Sequence, residues 1–179
     1  MPRPAFIAAA TLALLSAAQL QATQTAKAAR VAPCMTRPEV EGMVAYVLPA
    51  VLDSTIAKCR PELPASAYLI ARAPRLSSDL AAGRESAWPM ARQAFGKFGG
   101  GGKDSRMMAQ MPDELLRPLI SFALESELSP SIKPENCKDI DRVAAVLEPL
   151  PAANVVSLIT ELMVLGGRND GKLNVCASA

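Results

Sequence analysis

From Thr36 onward, apolar residues recur at Val40, Met43, Val44, Val47, Val51 and Ile56. That three-and-four spacing marks one face of a helix running from an N-cap at Thr36 to Cys59. Pro49 falls inside the pattern. Either one helix kinks there, or a second helix begins with the proline in its first turn. The unbroken phase favours the single kinked helix. Further periodic runs predict helices near 65–73, 78–86 (capped by Ser77 or Ser78), 88–98 with Pro89 early in it, 113–128, 138–148 and 152–166. Leu48-Pro49-Ala50, Leu63-Pro64-Ala65 and Leu150-Pro151-Ala152 each precede an apolar run, as proline at a first helical position explains without a true repeat. Glu148-Pro149-Leu150-Pro151 reads as a tight turn between the last two helices, which predicts an antiparallel pair. Gly99-Gly100-Gly101-Gly102 breaks the pattern, and with Lys103, Asp104, Ser105 and Arg106 it predicts a flexible loop at 99–106. No stretch alternates convincingly, so sheet is limited to one short C-terminal strand at 172–176. The expected fold is all-α, a small bundle of about six helices.

The start of the chain has a different character. Arg3 is followed by an uncharged apolar run from Ala5 to Leu15, then by small residues that include Ser16, Ala17, Ala18, Ala26 and Ala28. This is the order of a cleavable secretory signal. The run is shorter than the roughly 20 residues a permanent span needs. Ala28 and Ala18 both satisfy the small-x-small rule for cleavage. The expected organisation is therefore a signal peptide at 1–28 and a single helical domain at 29–179. No later stretch reads as long and apolar enough to span a bilayer, so no membrane association is expected after cleavage. The Ala-rich leader and the absence of Asn-x-Ser/Thr sequons favour a periplasmic destination, with secretion as the wider expectation.

Composition narrows the chemistry. Loss of residues 1–28 removes Arg3 and Lys27, leaving 17 basic against 17 acidic side chains. A balanced charge supplies none of the phosphate neutralisation that drives nucleic-acid binding. The charge is uneven, however: residues 60–117 hold nine basic and six acidic side chains, while 118–176 hold five and eight. The chain has no histidine, which excludes Ser-His-Asp and Cys-His catalysis as well as His-ligated metals.

Cys34, Cys59, Cys137 and Cys176 form an even set, which in an exported chain reads as two disulfides. There is no Cys-x-x-Cys to tune a redox thiol. Of the three connectivities, a continuous helix over 37–59 would span about 33 Å. That exceeds the 7 Å or so between bridged Cα atoms, so both bridges would have to be long-range. A hairpin at Pro49 would instead favour Cys34–Cys59 with Cys137–Cys176, and the return of the chain over 138–166 supports that local answer. Both arrangements remain open at this stage.

Other candidate chemistry is thin. Gly102-Lys103 lacks the earlier glycine and the following hydroxyl of a phosphate loop, because Lys97 and Asp104 stand in those positions. Asn169-Asp170-Gly171 lacks the flanking ligands of a calcium loop and reads as a turn. Asp139 with Asp141, and Glu125 with Glu127, are spaced two apart and point to different helix faces, so neither forms an acid/base couple. Asp139 fits a helix N-terminus. Met107, Met108 and Met111 cluster three thioethers, a set that could suit copper(I), an adaptable partner surface or the lead-in to a helix. No cofactor is expected.

The functional expectation is a non-catalytic exported protein that binds another protein, with Met107, Met108, Met111 and the helix after them as the partner surface. That helix carries Leu115, Leu116, Leu119, Ile120, Phe122 and Leu124, more apolar circumference than one core-facing stripe requires. Two alternatives stand beside it. One is a small hydrolase using Asp and Glu with Arg72, Arg75 or Arg168, which would need a deep pocket combining two carboxylates with arginine. The other is a chaperone-like stress factor.

Overall fold

A computed structural model describes residues 33–97, 103–170 and 174–176. The signal expected at 1–28 and the four glycines at 99–102 lie outside the described residues. Eight α-helices occur among the described residues: α1 (Arg37–Cys59), α2 (Tyr68–Ala71), α3 (Ala73–Ala82), α4 (Arg84–Lys97), α5 (Lys103–Gln110), α6 (Asp113–Ser131), α7 (Cys137–Val146) and α8 (Ala152–Asp170). A single 3-10 turn, Pro134–Asn136, precedes α7. The fold is an all-α bundle stabilised by disulfides.

α1 is the central helix, packed by α3, α4, α6 and α8. It starts at Thr36, whose backbone N–H donates to Glu39 Oε2 at 2.7 Å, satisfying one of the orphan donors of a helix start. It then runs through Pro49 without ending. The residues on either side of the proline are packed by neighbouring helices, and that packing outweighs the lost backbone hydrogen bond. By length and composition α1 could cross a membrane, with a mean hydropathy of 1.4 over its most apolar window. This corrects the expectation that nothing after the leader is so apolar. A helix apolar around its circumference needs cover on all sides, and here four helices give it. The closest approach is to α4: a Cβ added at Gly42 would lie 2.4 Å from the Met90 Cβ.

Three apolar clusters surround α1. The first joins Val40, Met43 and Val44 to Leu80, Ala94, Val156 and Val164. The second joins Tyr46 to Trp88, Ala91, Leu116 and Ile120. The third gathers Ile56, Leu69 and Ala73 around Cys59 and Cys137.

Several expected boundaries move. The helix placed at 78–86 is instead α3, which starts at Ala73 and ends before Gly83. Ser77 is not its cap; it is buried, and its hydroxyl donates to Asp53 Oδ1 at 2.6 Å. Lys103 to Arg106, expected in the loop, form the first half of α5. Asn169 and Asp170 continue α8 rather than turning. The antiparallel pair of 138–148 and 152–166 does not form as such. α7 docks on α2, and α8 docks on α1 and α3. The C-terminal strand reduces, among the described residues, to one parallel bridge between Met35 and Val175.

Candidate functional site

The cysteines form the bridges Cys34–Cys176 and Cys59–Cys137, with Cα atoms 5.0 and 5.4 Å apart. Because α1 is continuous, the local pairing is excluded for the physical reason already given: its two ends are too far apart. The outer bridge joins the segment just before α1 to the segment after α8, supported by Met35 N–H donating to Asn174 O and Cys176 N–H donating to Met35 O. The inner bridge pins the end of α1 to the start of α7. Two such bridges fit an oxidising compartment.

The methionine set is divided by the structure. Met108 and Met111 are half-buried and pack against the Tyr46–Trp88–Leu116 cluster. Met107 alone is open, at 57% exposure. The reason lies in a polar clamp at the α5–α6 corner. Trp88 Nε1–H and Arg92 Nε–H both donate to Asp113, each at 2.6 Å. Arg92 also donates to the Met111 carbonyl at 2.8 Å. The Trp88 and Arg92 hydrogen bonds hold the Asp113 carboxyl below its ordinary pKa. Arg117 completes the corner, stacked 4.4 Å over the Trp88 ring and donating to Glu85 at 2.8 Å. The clamp draws Met108 and Met111 inward and seats the first turn of α6 on α4.

With that turn seated, α6 presents two apolar stripes. Leu116 and Ile120 face the core. Leu115, Leu119 and Phe122 face outward with 63%, 42% and 69% exposure. Their i, i+4, i+7 spacing makes a second continuous stripe. The excess apolar circumference in the sequence was thus a real signal, but it belongs to α6 itself more than to the methionines before it. α8 repeats the arrangement with Leu158, Leu162 and Leu165 exposed. Sequence reasoning passed over this second stripe, although only Ser157, Thr160 and Glu161 interrupt the apolar residues of 155–165.

Arginine and carboxylates do meet in one place. Tyr68, Arg72, Arg75, Asp79 and Glu148 line a cleft of about 660 Å³ between α2, α3 and the turn before α8. Arg72 donates to Glu148, and the two arginines and both carboxylates are exposed. The Tyr68 hydroxyl has its pKa raised, by burial first and by the Glu148 carboxylate second. A hydrolase would need a desolvated acid and base held apart in role; here one carboxylate is occupied by arginine and the other is open to water. The remaining acidic candidates are structural. Asp141 accepts the Leu69 N–H at 2.7 Å, capping α2 from a distant helix. Asp139 sits in the first turn of α7. Glu125 and Glu127 are exposed on α6 and do not line this cleft, and the Arg168 side chain lies outside the described residues. Among the described residues, no group of three or more His, Cys, Asp or Glu side chains could hold a metal ion.

Comparison with protein-family models, with curated proteins and with solved structures finds no match to this chain.

Proposed function

We propose that this is an exported, periplasmic, non-catalytic helical protein that binds another protein through the outward face of α6. The observation carrying the reading is the stripe of Leu115, Leu119 and Phe122 on a helix whose opposite face already fills the core. A small domain gains nothing in stability from exposed leucine and phenylalanine in a row, and contiguous apolar surface of this kind marks interaction sites. Export is supported by the charged start, the apolar run of Ala5–Leu15 and the two disulfides. The charge of α6 narrows the partner. Glu114, Glu125 and Glu127 are exposed, whereas Asp113 is taken up by Trp88 and Arg92, and Arg117 by Glu85. The complementary surface is an apolar helix face with basic margins.

The test places a photo-crosslinker at Phe122, with one at the exposed Arg142 as control, in protein from the exported fraction. A single partner should crosslink from Phe122 and not from Arg142. With that partner purified, Leu115→Ser/Leu119→Ser/Phe122→Ser should weaken binding by more than about 100-fold, as loss of central anchors does, while the unfolding midpoint stays close to that of the parent. Unchanged affinity in the triple variant overturns the proposal. So does crosslinking only to a second copy of the same chain.

A further inference from the structure

An apolar cavity of about 130 Å³ lies where α1, α2, α3, α7 and α8 meet. Leu48, Leu52, Leu69, Leu76, Val155 and Ile159 are among the side chains that line it. Its polar side chains are Thr55 and Tyr68. The Thr55 hydroxyl is already spent, donating to the Val51 carbonyl at 2.7 Å. The pocket is partly open, its lining is almost wholly apolar, and its size suits the end of a hydrocarbon chain. This is also the place where the expected α7–α8 pair fails to close: Ile140 and Ala144 lie on one wall, Val155 and Ile159 on the other.

The cavity does not stand alone. Tyr68 and Leu76 line both it and the arginine cleft described above. Within that cleft Arg72 is held by Glu148. Arg75 has no ion pair or side-chain hydrogen bond among the described residues. Ala152, the first residue of the 19-residue α8, lines the cleft as well, so the positive end of a helix dipole points to the same place. A partly open aliphatic pocket therefore shares lining with a wet surface that carries the Arg75 guanidinium, a helix N-terminus and a phenol, with the Asp79 carboxylate on the same cleft.

We propose that cavity and cleft together form one binding site for an anionic amphiphile, a carboxylate- or phosphate-headed acyl chain. The terminal carbons of the chain occupy the cavity, its middle passes between Tyr68 and Leu76, and its head group rests at Arg75. This site is on the opposite flank of α1 from the residues that meet α6, and it does not depend on the protein-binding proposal.

The probes are decanoate, decyl phosphate, decanol and decyltrimethylammonium, each below its micelle concentration, titrated calorimetrically into the full mature chain. Decanoate and decyl phosphate should bind one to one; a preference of at least tenfold between them identifies which head the site serves. Decanol should bind at least tenfold more weakly, and the cation should not bind. From hexanoate upward, affinity should rise by about fourfold per methylene and then level off once the cavity is full. Arg75→Glu, at an exposed position, should weaken decanoate at least tenfold and leave decanol unchanged. Ala144→Phe, which fills the chamber, should abolish binding of both. If it fails to fold, the Arg75→Glu contrast and the chain-length plateau decide the matter. Leu115→Ser/Leu119→Ser/Phe122→Ser should bind decanoate as the parent does, which separates this site from the partner surface. Equal affinity for all four head groups, a gain that continues without levelling, or no binding of any probe overturns the proposal.

Discussion

Opening the outer bridge with Cys34→Ala and Cys176→Ala isolates what a long covalent loop does for a domain of this size. The bridge joins residues 142 apart, and the inner bridge already joins residues 78 apart within that span. With the inner bridge intact, the loop that the outer one closes in the unfolded chain shortens to the difference, about 64 residues. In the chain-entropy treatment that closure corresponds to about 4 kcal/mol at 25 °C, against roughly 5 if the inner bridge were absent. The total stability of a domain is about 5–15 kcal/mol, so the variant should remain folded and become marginal. Local structure changes little by comparison. The hydrogen bonds from Met35 to Asn174 and from Cys176 to Met35 are the segment's other ties to the start of α1, and they should fray without the bridge. Urea unfolding followed by helical circular dichroism and by Trp88 fluorescence is the assay. Native helicity should be retained while the unfolding free energy falls by about 4 kcal/mol. A loss below about 1 kcal/mol would show that the bridge constrains nothing the native contacts do not already hold. Peptide mapping of the parent should recover Cys34 joined to Cys176; recovery of Cys34 joined to Cys59 would falsify the continuous α1 on which the pairing rests.

The other predictions are more local. Glu39 is buried and accepts both the Thr36 N–H and the Lys97 ammonium, the latter at 2.6 and 2.7 Å. Burial pushes its pKa upward, but the Lys97 and Thr36 hydrogen bonds outweigh it and the carboxyl titrates below its ordinary value. Its contribution is therefore complete above the unfolded carboxyl's value, near 4.3, and is lost as the pH falls from there through the lowered one. Glu39→Gln should flatten the fall of unfolding free energy between pH 5 and about pH 2; an unchanged slope would place the acid sensitivity elsewhere. Lys97→Met leaves that carboxylate buried without its cation and should cost toward the lower end of roughly 3–5 kcal/mol at neutral pH, measured by urea unfolding. Gly42→Ala forces a Cβ against Met90, so its thermal midpoint should fall despite the better helix propensity of alanine; a rise would mean that α4 can move away. On α6, Leu116→Ala should cost about 2–5 kcal/mol, while Leu115→Ala, one residue away and exposed, should stay within about 0.5 kcal/mol.

Most of the helices were readable from the chain because periodicity is a local property. The phase from Val40 to Ile56 announces α1, and the runs after 113, 138 and 152 announce α6, α7 and α8. Helix count and boundaries around 72–84 were less legible, since the breaks at Arg72 and Gly83 depend on how short segments pack. α5 was hidden behind the run of four glycines, a helix-breaking composition that made Lys103 to Arg106 read as loop. Ser77 and Asp141 illustrate a further limit: each has a local role in sequence, as a cap or as one of a carboxylate pair, but bonds to a residue brought near only by folding.

The sequence by itself determined the all-α class, the aliphatic core and the absence of histidine chemistry, together with the even cysteine count that calls for two bridges. These follow from residue type and spacing, which act within a few turns of chain. Tertiary structure alone decided the pairing of Cys34 with Cys176 and Cys59 with Cys137, because contacts across 142 and 78 residues depend on where α7 and the C-terminal segment dock. It likewise decided which methionines pack against the core, beside the Asp113–Arg92–Trp88 clamp. It also set an aliphatic pocket beside the exposed Arg75. No periodicity encodes a gap between helices, since a gap is a property of surfaces that meet and not of the residues on either one.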